Sequence, residues 1–305
     1  MQLFQCIPNV SEGRNLTVVE AFAESIRSVP GVRLLDYSAD KDHNRSVFTF
    51  IGSSTSITEA VLAMFAQAEK HIDLRCHQGA HPRIGAVDVV PFVPLEGTLM
   101  TDAVTLSKIT ATTVAQRYGL PIYFYEESAS CEKNRSLAYL RRGGFEALSQ
   151  LDDLTSRPAD AGPCKLHPRL GAACFGARHP LLAFNVLLDT PDVEIAKKIA
   201  QKIRYRDGGL RYVRALGIYL QEAGLAQVSI NLLDTEKTAL YTVLEMVKSE
   251  AARYGVRVRT SELIGEITLE ALAGAAAYYL QLPQLDVSRV LERGILDYLC
   301  SHEMN

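Results

Sequence analysis

The tetrapeptide Leu-Leu-Asp-Thr occurs twice in the last third of the chain, at Leu187 to Thr190 and at Leu232 to Thr235. Each copy closes an apolar run and opens a helical pattern. Before the first copy, residues 182–188 predict a strand; after it, Thr190 can cap a helix and Pro191 suits the first helical position, where a missing amide goes unmissed. That helix carries Val193, Ile195, Ile199 and Ile203 at helical spacing. Strands follow over residues 213–220 and 226–233, joined by the turn Glu222-Ala223-Gly224. A second helix carries Leu240, Val243, Leu244 and Val247, and residues 256–259 predict a closing strand. Strand-helix-strand repeated in this way makes a ferredoxin-like sheet with helices on one face. Short connections and right-handed crossovers leave few alternatives.

The first part of the chain repeats the order. A short strand begins at Leu3, and Asn15 can cap a helix bearing Val18, Val19, Phe22 and Ile26. Strands at residues 32–37 and 46–52 flank the polar loop Asp40-Lys41-Asp42-His43-Asn44-Arg45, a helix spans about 57–68, and the run Val87 to Val93 closes the unit. Further helices at about 102–118, 136–140 and 146–151 and a strand at 121–125 follow as insertions. The expected class is α+β: two ferredoxin-like (βαββαβ) subdomains, residues 1–179 and 180–305, with a ligand cleft between them.

Chemistry concentrates in His-Gln-Gly-Ala-His-Pro-Arg-Ile-Gly-Ala, His77 to Ala86. Gly79, Pro82 and Gly85 oppose a helix, which places His81 on a rigid loop feeding a strand. An imidazole there titrates near neutrality and can serve as general base or acid; the plainer role is to fix the loop by hydrogen bonds. His77 and His81 stand four apart, the spacing of two zinc ligands on a helix, but the glycine and proline break that helix and no metal is expected. Residues 162–171 form a second Gly- and Pro-bearing loop whose His-Pro-Arg-Leu-Gly-Ala, His167 to Ala172, nearly copies His81 to Ala86. Arg45, Arg83, Lys165, Arg169 and Arg178 all lie in loops and would suit carboxylate ligands if they converge.

A net charge of −3 gives no general pull toward nucleic acid or anionic membrane. No stretch reaches the length of a membrane span, and the start lacks a signal-peptide pattern. Six scattered cysteines without a Cys-x-x-Cys pair fit reduced thiols in a cytoplasmic protein.

Motifs spread along the chain carry a resemblance: Ile7-Pro8-Asn9-Val10-Ser11-Glu12-Gly13, His43-Asn44-Arg45-Ser46-Val47, His81-Pro82-Arg83-Ile84-Gly85-Ala86 with Asp88-Val89, Gly162-Pro163, Gly176-Ala177-Arg178, Ala183-Phe184-Asn185-Val186, Ala226-Gln227-Val228-Ser229 and Ser261-Glu262-Leu263-Ile264-Gly265. In these the chain resembles the glutamate formiminotransferase family, the N-terminal part of formiminotransferase-cyclodeaminase. The resemblance implies transfer of the formimino group from N-formimino-L-glutamate to N5 of tetrahydrofolate, releasing L-glutamate, in histidine degradation and folate one-carbon metabolism. It puts the catalytic histidine at His81 and the folate-binding segment at Gly162-Pro163-Cys164-Lys165-Leu166-His167-Pro168-Arg169-Leu170-Gly171. Asp40, His43, Arg45 and Arg83 are supporting candidates.

Tetrahydrofolate, with or without a polyglutamate tail, is then a co-substrate, and no metal or redox cofactor is required. The partners to expect are a second copy of the chain and a separate cyclodeaminase. Formyl transfer between 5-formyltetrahydrofolate and glutamate, a zinc hydrolase using His77 and His81, and a non-catalytic folate-binding module are the competing readings.

Overall fold

The computed structural model describes residues 2–79, 82–95, 97–221 and 223–302. By its internal contacts the chain divides into two compact units, Met1–His179 and Pro180–Asn305.

In the first unit the elements run β1 (Phe4–Cys6), β2 (Asn9–Val10), α1 (Leu16–Arg27), β3 (Val32–Asp40), β4 (Arg45–Gly52), α2 (Ser54–His71) and β5 (Val87–Pro94). β1 and β2 are two pieces of one interrupted strand lying between β4 and β5, antiparallel to both. With β3 outside β4, the spatial order β3-β4-β1/β2-β5 is that of a ferredoxin-like sheet, as expected. Pro8 and the polar residues around Asn9 predict a loop over residues 8–13, but Asn9 pairs with Val47 and Val89, and Val10 with Ser46 and Val87. Asn15 caps α1 as anticipated, its side chain accepting from the amides of Thr17 and Val18.

The unit then extends itself. α3 (Met100–Tyr118) crosses over to β6 (Ile122–Glu126), and the short helices α4 (Leu137–Leu140) and α5 (Gly144–Ser149) precede β7 (Ala173–Ala177). β7 inserts between β5 and β6, parallel to both. The sequence reading missed β7, because Ala-Cys-Phe-Gly-Ala has neither β-branched residues nor alternation. Its five residues are buried throughout, as are the first seven of β5. Strands covered on both faces lose the polar-apolar period that would reveal them. One face meets α1, α2 and α3 through a core holding Phe22, Phe65, Phe92 and Phe175. The other face, with Val89, Tyr123, Tyr125 and Cys174, is covered by Leu140, Leu148 and Leu154 from the insertion. Each large side chain so buried contributes roughly 1.5–3 kcal/mol.

The second unit has β8 (Leu182–Leu188), α6 (Val193–Ile203), β9 (Val213–Leu220), β10 (Leu225–Leu232), α7 (Leu240–Ala252) and β11 (Val258–Ile264), followed by α8 (Leu269–Tyr279) and α9 (Leu291–His302). Its order β11-β8-β10-β9 is again ferredoxin-like. Ile199, Ile203, Val243 and Val247 pack with Val186, Val228 and Ile230 to make a separate core. Two local expectations need correction. Asp192, not Thr190, is the N-cap of α6, taking the Glu194 amide at 2.9 Å, while Thr190 accepts from the amide of Asp192. β11 starts two residues later than expected and runs on to Ile264. Among the described residues no helix is long and apolar enough to cross a membrane.

Candidate functional site

The two near-identical hexapeptides lie against each other. The Ala86 amide donates to the Leu170 carbonyl and the Ala172 amide to the Ile84 carbonyl, each at 2.9 Å, with Gly85 opposite Gly171. Equivalent residues thus exchange equivalent hydrogen bonds, a local two-fold arrangement. The approach needs glycine: a Cβ on Gly85 would stand 1.9 Å from the Ala172 carbonyl oxygen, and one on Gly171 2.1 Å from that of Ile84.

Beside this pair the chain turns back repeatedly on itself. The Ser11 hydroxyl donates to the Gly85 carbonyl at 2.7 Å and the Ser11 amide to Ala86 at 2.8 Å. Asn44, buried and held at φ 48°, accepts from the Gly13 amide and donates to the Gln78 carbonyl. A short polar residue tolerates that left-handed conformation better than most. Gly13 and Gly79 are again spots where a Cβ would meet backbone, in each case 2.3 Å from a carbonyl oxygen.

Arg83 is the hub. Its guanidinium is buried, and it grips Glu146 with two hydrogen bonds of 2.8 and 3.2 Å. It also donates from Nε to His77 Nδ1 at 2.7 Å and from Nη2 to the His77 carbonyl at 2.9 Å. Because Nδ1 of His77 accepts, its Nε2 carries the proton and donates to the Asn44 carbonyl at 3.0 Å. Both ring nitrogens are therefore engaged in protein hydrogen bonds. Burial pushes the His77 pKa down, and the Arg83 charge adds to this against the hydrogen bond to Asn44. His77 is a neutral brace in this structure.

Asp88 holds the same loop from below. Its Oδ1 accepts from the Ile84 and Gly85 amides at 2.7 and 3.1 Å, and its Oδ2 takes Nε and Nη2 of Arg141 at 2.8 and 2.5 Å. Asp40 and His43 pair at 2.5 Å. Burial would raise the Asp40 carboxyl, but the main-chain and side-chain hydrogen bonds of His43 and its charge outweigh this and hold it below its usual range. Burial and the nearby Arg141 charge lower the pKa of Arg45. Residues His43, Arg45, Arg83, Asp88 and Ser11 line a polar niche of about 10 Å³. His81 lies outside the described residues; in sequence it stands two positions before Arg83.

A larger cavity of about 650 Å³ opens on the Glu146 side, wholly within the first unit. Leu74, Phe145, Leu151 and Leu166 supply apolar wall, while His77, Gln78, Gln150, Arg75 and Lys165 supply polar groups. Its size falls in the usual range for small-molecule sites. From the expected folate segment, Lys165, Leu166 and Pro168 face this cavity. Lys165 has no ion pair among the described residues. Arg169 does not line it: its guanidinium reaches the carbonyls of Glu69 and Ile72 and lies 3.6 Å from Asp73. His167 turns Nδ1 onto the amides of Arg169 and Leu170, fixing its own loop. Gly162, at φ 86°, is pressed against the Leu120 carbonyl, so it shapes the start of the segment. Pro163, Cys164, Leu170 and Gly171 likewise do not line the cavity.

The sequence alone assigns no role to Asp88, although it stands in one of the quoted motifs, nor to Arg141 or Glu146. A carboxylate inside the apolar run Val87 to Val93 was the available signal for Asp88. Arg141 and Glu146 sit in a stretch with weak periodicity and gave none.

The sequence pattern described as "Formiminotransferase domain, N-terminal subdomain" matches residues 3–178, and that described as "Formiminotransferase domain" matches residues 183–293. A protein of Streptococcus pyogenes serotype M1 named glutamate formimidoyltransferase is 43% identical, the alignment covering 97% of this chain and 99% of that one. One of the same name from Thermoplasma acidophilum is 41% identical over 96% of this chain and 97% of its own. A formimidoyltransferase-cyclodeaminase of Rattus norvegicus is 40% identical over 94% of this chain, which spans 54% of that protein.

Proposed function

The chain belongs to the formiminotransferase family, and we propose that it is the enzyme which moves the formimino group from N-formimino-L-glutamate to N5 of tetrahydrofolate. The observation that carries this is likeness along the whole length to two proteins named glutamate formimidoyltransferase. The 650 Å³ cavity with its apolar wall and a cation at Lys165 supports a flat heterocycle followed by carboxylates as substrate.

In this reading N5 of tetrahydrofolate attacks the formimino carbon, and a tetrahedral intermediate forms. N5 sheds its proton; the carbon–nitrogen bond to glutamate breaks, and that nitrogen gains a proton. His81 accepts the first proton and delivers the second, which a single imidazole titrating near neutrality can do in turn. Arg83 holds the loop that carries His81. Lys165, with Arg75 on the same cavity, attracts the carboxylates. His43 and Arg45, which line the niche, and Asp40, paired with His43, orient the substrate or the His81 loop. A cyclodeaminase, the activity named alongside formimidoyltransferase in the rat relative, is the proposed consumer of the product.

The test is direct. Purified protein with both substrates should release glutamate, and omission of either N-formimino-L-glutamate or tetrahydrofolate should abolish release. Equal release without tetrahydrofolate would make the protein a hydrolase and end this reading.

A further inference from the structure

The insertion that follows β6 does more than cover the sheet. Three of its residues grasp the segment from Arg83 to Asp88, which begins two positions after His81 in sequence. The Phe145 amide donates to the Arg83 carbonyl at 2.7 Å. Glu146 receives the Arg83 guanidinium through two hydrogen bonds. Arg141 binds the buried Asp88, whose other oxygen holds the amides of Ile84 and Gly85. Arg141 and Asp88 are both largely buried, with side-chain exposures of 13% and 3%. Phe145 and Glu146 also face the large cavity, so the same short segment touches both the ligand space and the loop.

We propose that Arg141, through Asp88, and Glu146, through Arg83, are positioning residues: the α4–α5 insertion is a clamp that fixes the Arg83–Gly85 backbone, which follows His81 in sequence, for the transfer step. This rests on the function proposed above. An Arg–carboxylate fork specifies direction as well as distance. A displacement of about 1 Å in a reacting group can lower turnover by about a hundredfold. Arg141 and Asp88 do not line the large cavity, so the Arg141 arm of the clamp acts on kcat and leaves substrate affinity almost untouched.

The experiment compares Arg141→Met, Arg141→Lys and Glu146→Gln with the wild-type chain, reading kcat, KM, folate affinity and amide hydrogen exchange at Ile84 and Gly85. Arg141→Met should lower kcat about tenfold or more, with KM and folate affinity within about threefold, and should speed exchange at both amides by about tenfold. Arg141→Lys should recover part of both effects. Glu146→Gln, at an exposed carboxylate, should lower kcat by a few-fold without altering exchange at Ile84. Should the lone carboxylate left by Arg141→Met prevent folding, Asp88→Asn with Arg141→Met removes that charge and is read in the same way.

Ile57→Ala, a core change in α2, serves as control for destabilisation alone. A folded Arg141 variant with wild-type kcat overturns the clamp, as does an equal kcat loss in Ile57→Ala or unchanged exchange at Ile84 and Gly85. Absence of transfer in the wild-type protein would instead refute the proposed function, and the exchange measurement then decides whether the clamp exists.

Discussion

His77 and His167 each turn Nδ1 toward donors, the first toward Arg83 and the second toward two backbone amides. Protonation would remove that acceptor. Burial, chiefly, lowers both pKa values in the folded protein. The unfolded chain therefore binds protons more readily, and stability rises with pH through this window. The contribution is complete above about pH 6.5, the ordinary histidine value, and is lost as pH falls below it toward the folded-state values. Thermal melts should show Tm falling below about pH 6.5, with a smaller fall in His77→Gln and His167→Gln. The lowered carboxyls of Asp40 and Glu146 act in the same direction, but only near pH 4 and below, about where free carboxylates titrate. A Tm independent of pH between about 7 and 5 would contradict the assignment of both rings as neutral acceptors.

If His81 is the acid-base group proposed above, His81→Ala should cost about two to four orders of magnitude in kcat while folate affinity stays within a few-fold, measured by steady-state kinetics and direct binding. Lys165→Glu should weaken a polyglutamylated folate more than the monoglutamate, since only the tail differs between them. Equal losses would detach Lys165 from the tail. The motif around His81 is legible in its residue types, but the bracing role of His77 is not: it comes from hydrogen bonds to Arg83 and to the Asn44 carbonyl, both distant in sequence or outside any local pattern.

At the scale of elements, the pairing of the two hexapeptides turns a sequence coincidence into structure. Gly85 sits where the two hexapeptides meet, its missing Cβ aimed at the Ala172 carbonyl, so Gly85→Ala should cost about 1–3 kcal/mol or more by overpacking. Gly119 ends α3 at φ 62° with nothing near its missing Cβ, so Gly119→Ala should cost only about 1–2 kcal/mol of backbone strain. Denaturant titration of both variants checks the order, and a reversed order would discount the close approach. Periodicity marked the amphipathic helices α1, α2, α6 and α7 because each has one dry face. It failed at β7 and misplaced β11, for opposite reasons. β7 is buried on both faces, whereas β11 is an edge strand exposed along nearly its whole length. The insertion holding Arg141 and Glu146 shows only short helical stretches in sequence, because its packing depends on tertiary contacts of Leu140, Leu148 and Leu154 with Val89, Tyr123, Tyr125 and Cys174 of the sheet, not on any local pattern.

Across the whole molecule, one plan occurs twice, with the first copy enlarged by two parallel strands and the cavity-bearing insertion. The repeated Leu-Leu-Asp-Thr junction announced the second copy, and the plain β-α-β-β-α-β order announced the first. Family likeness over residues 3–178 and 183–293 spans both units. The chemical claim is that one carbon passes from glutamate nitrogen to folate N5 without passing through water. The most direct measurement supplies N-formimino-L-glutamate labelled at the formimino carbon, with tetrahydrofolate and the purified protein, and follows the label by NMR. The account predicts that the label moves onto N5 of the folate in one-to-one proportion with glutamate released, and that the His81→Ala protein transfers it slower by the factor given above. Label appearing as free formamide or formate, or remaining on glutamate, would contradict it.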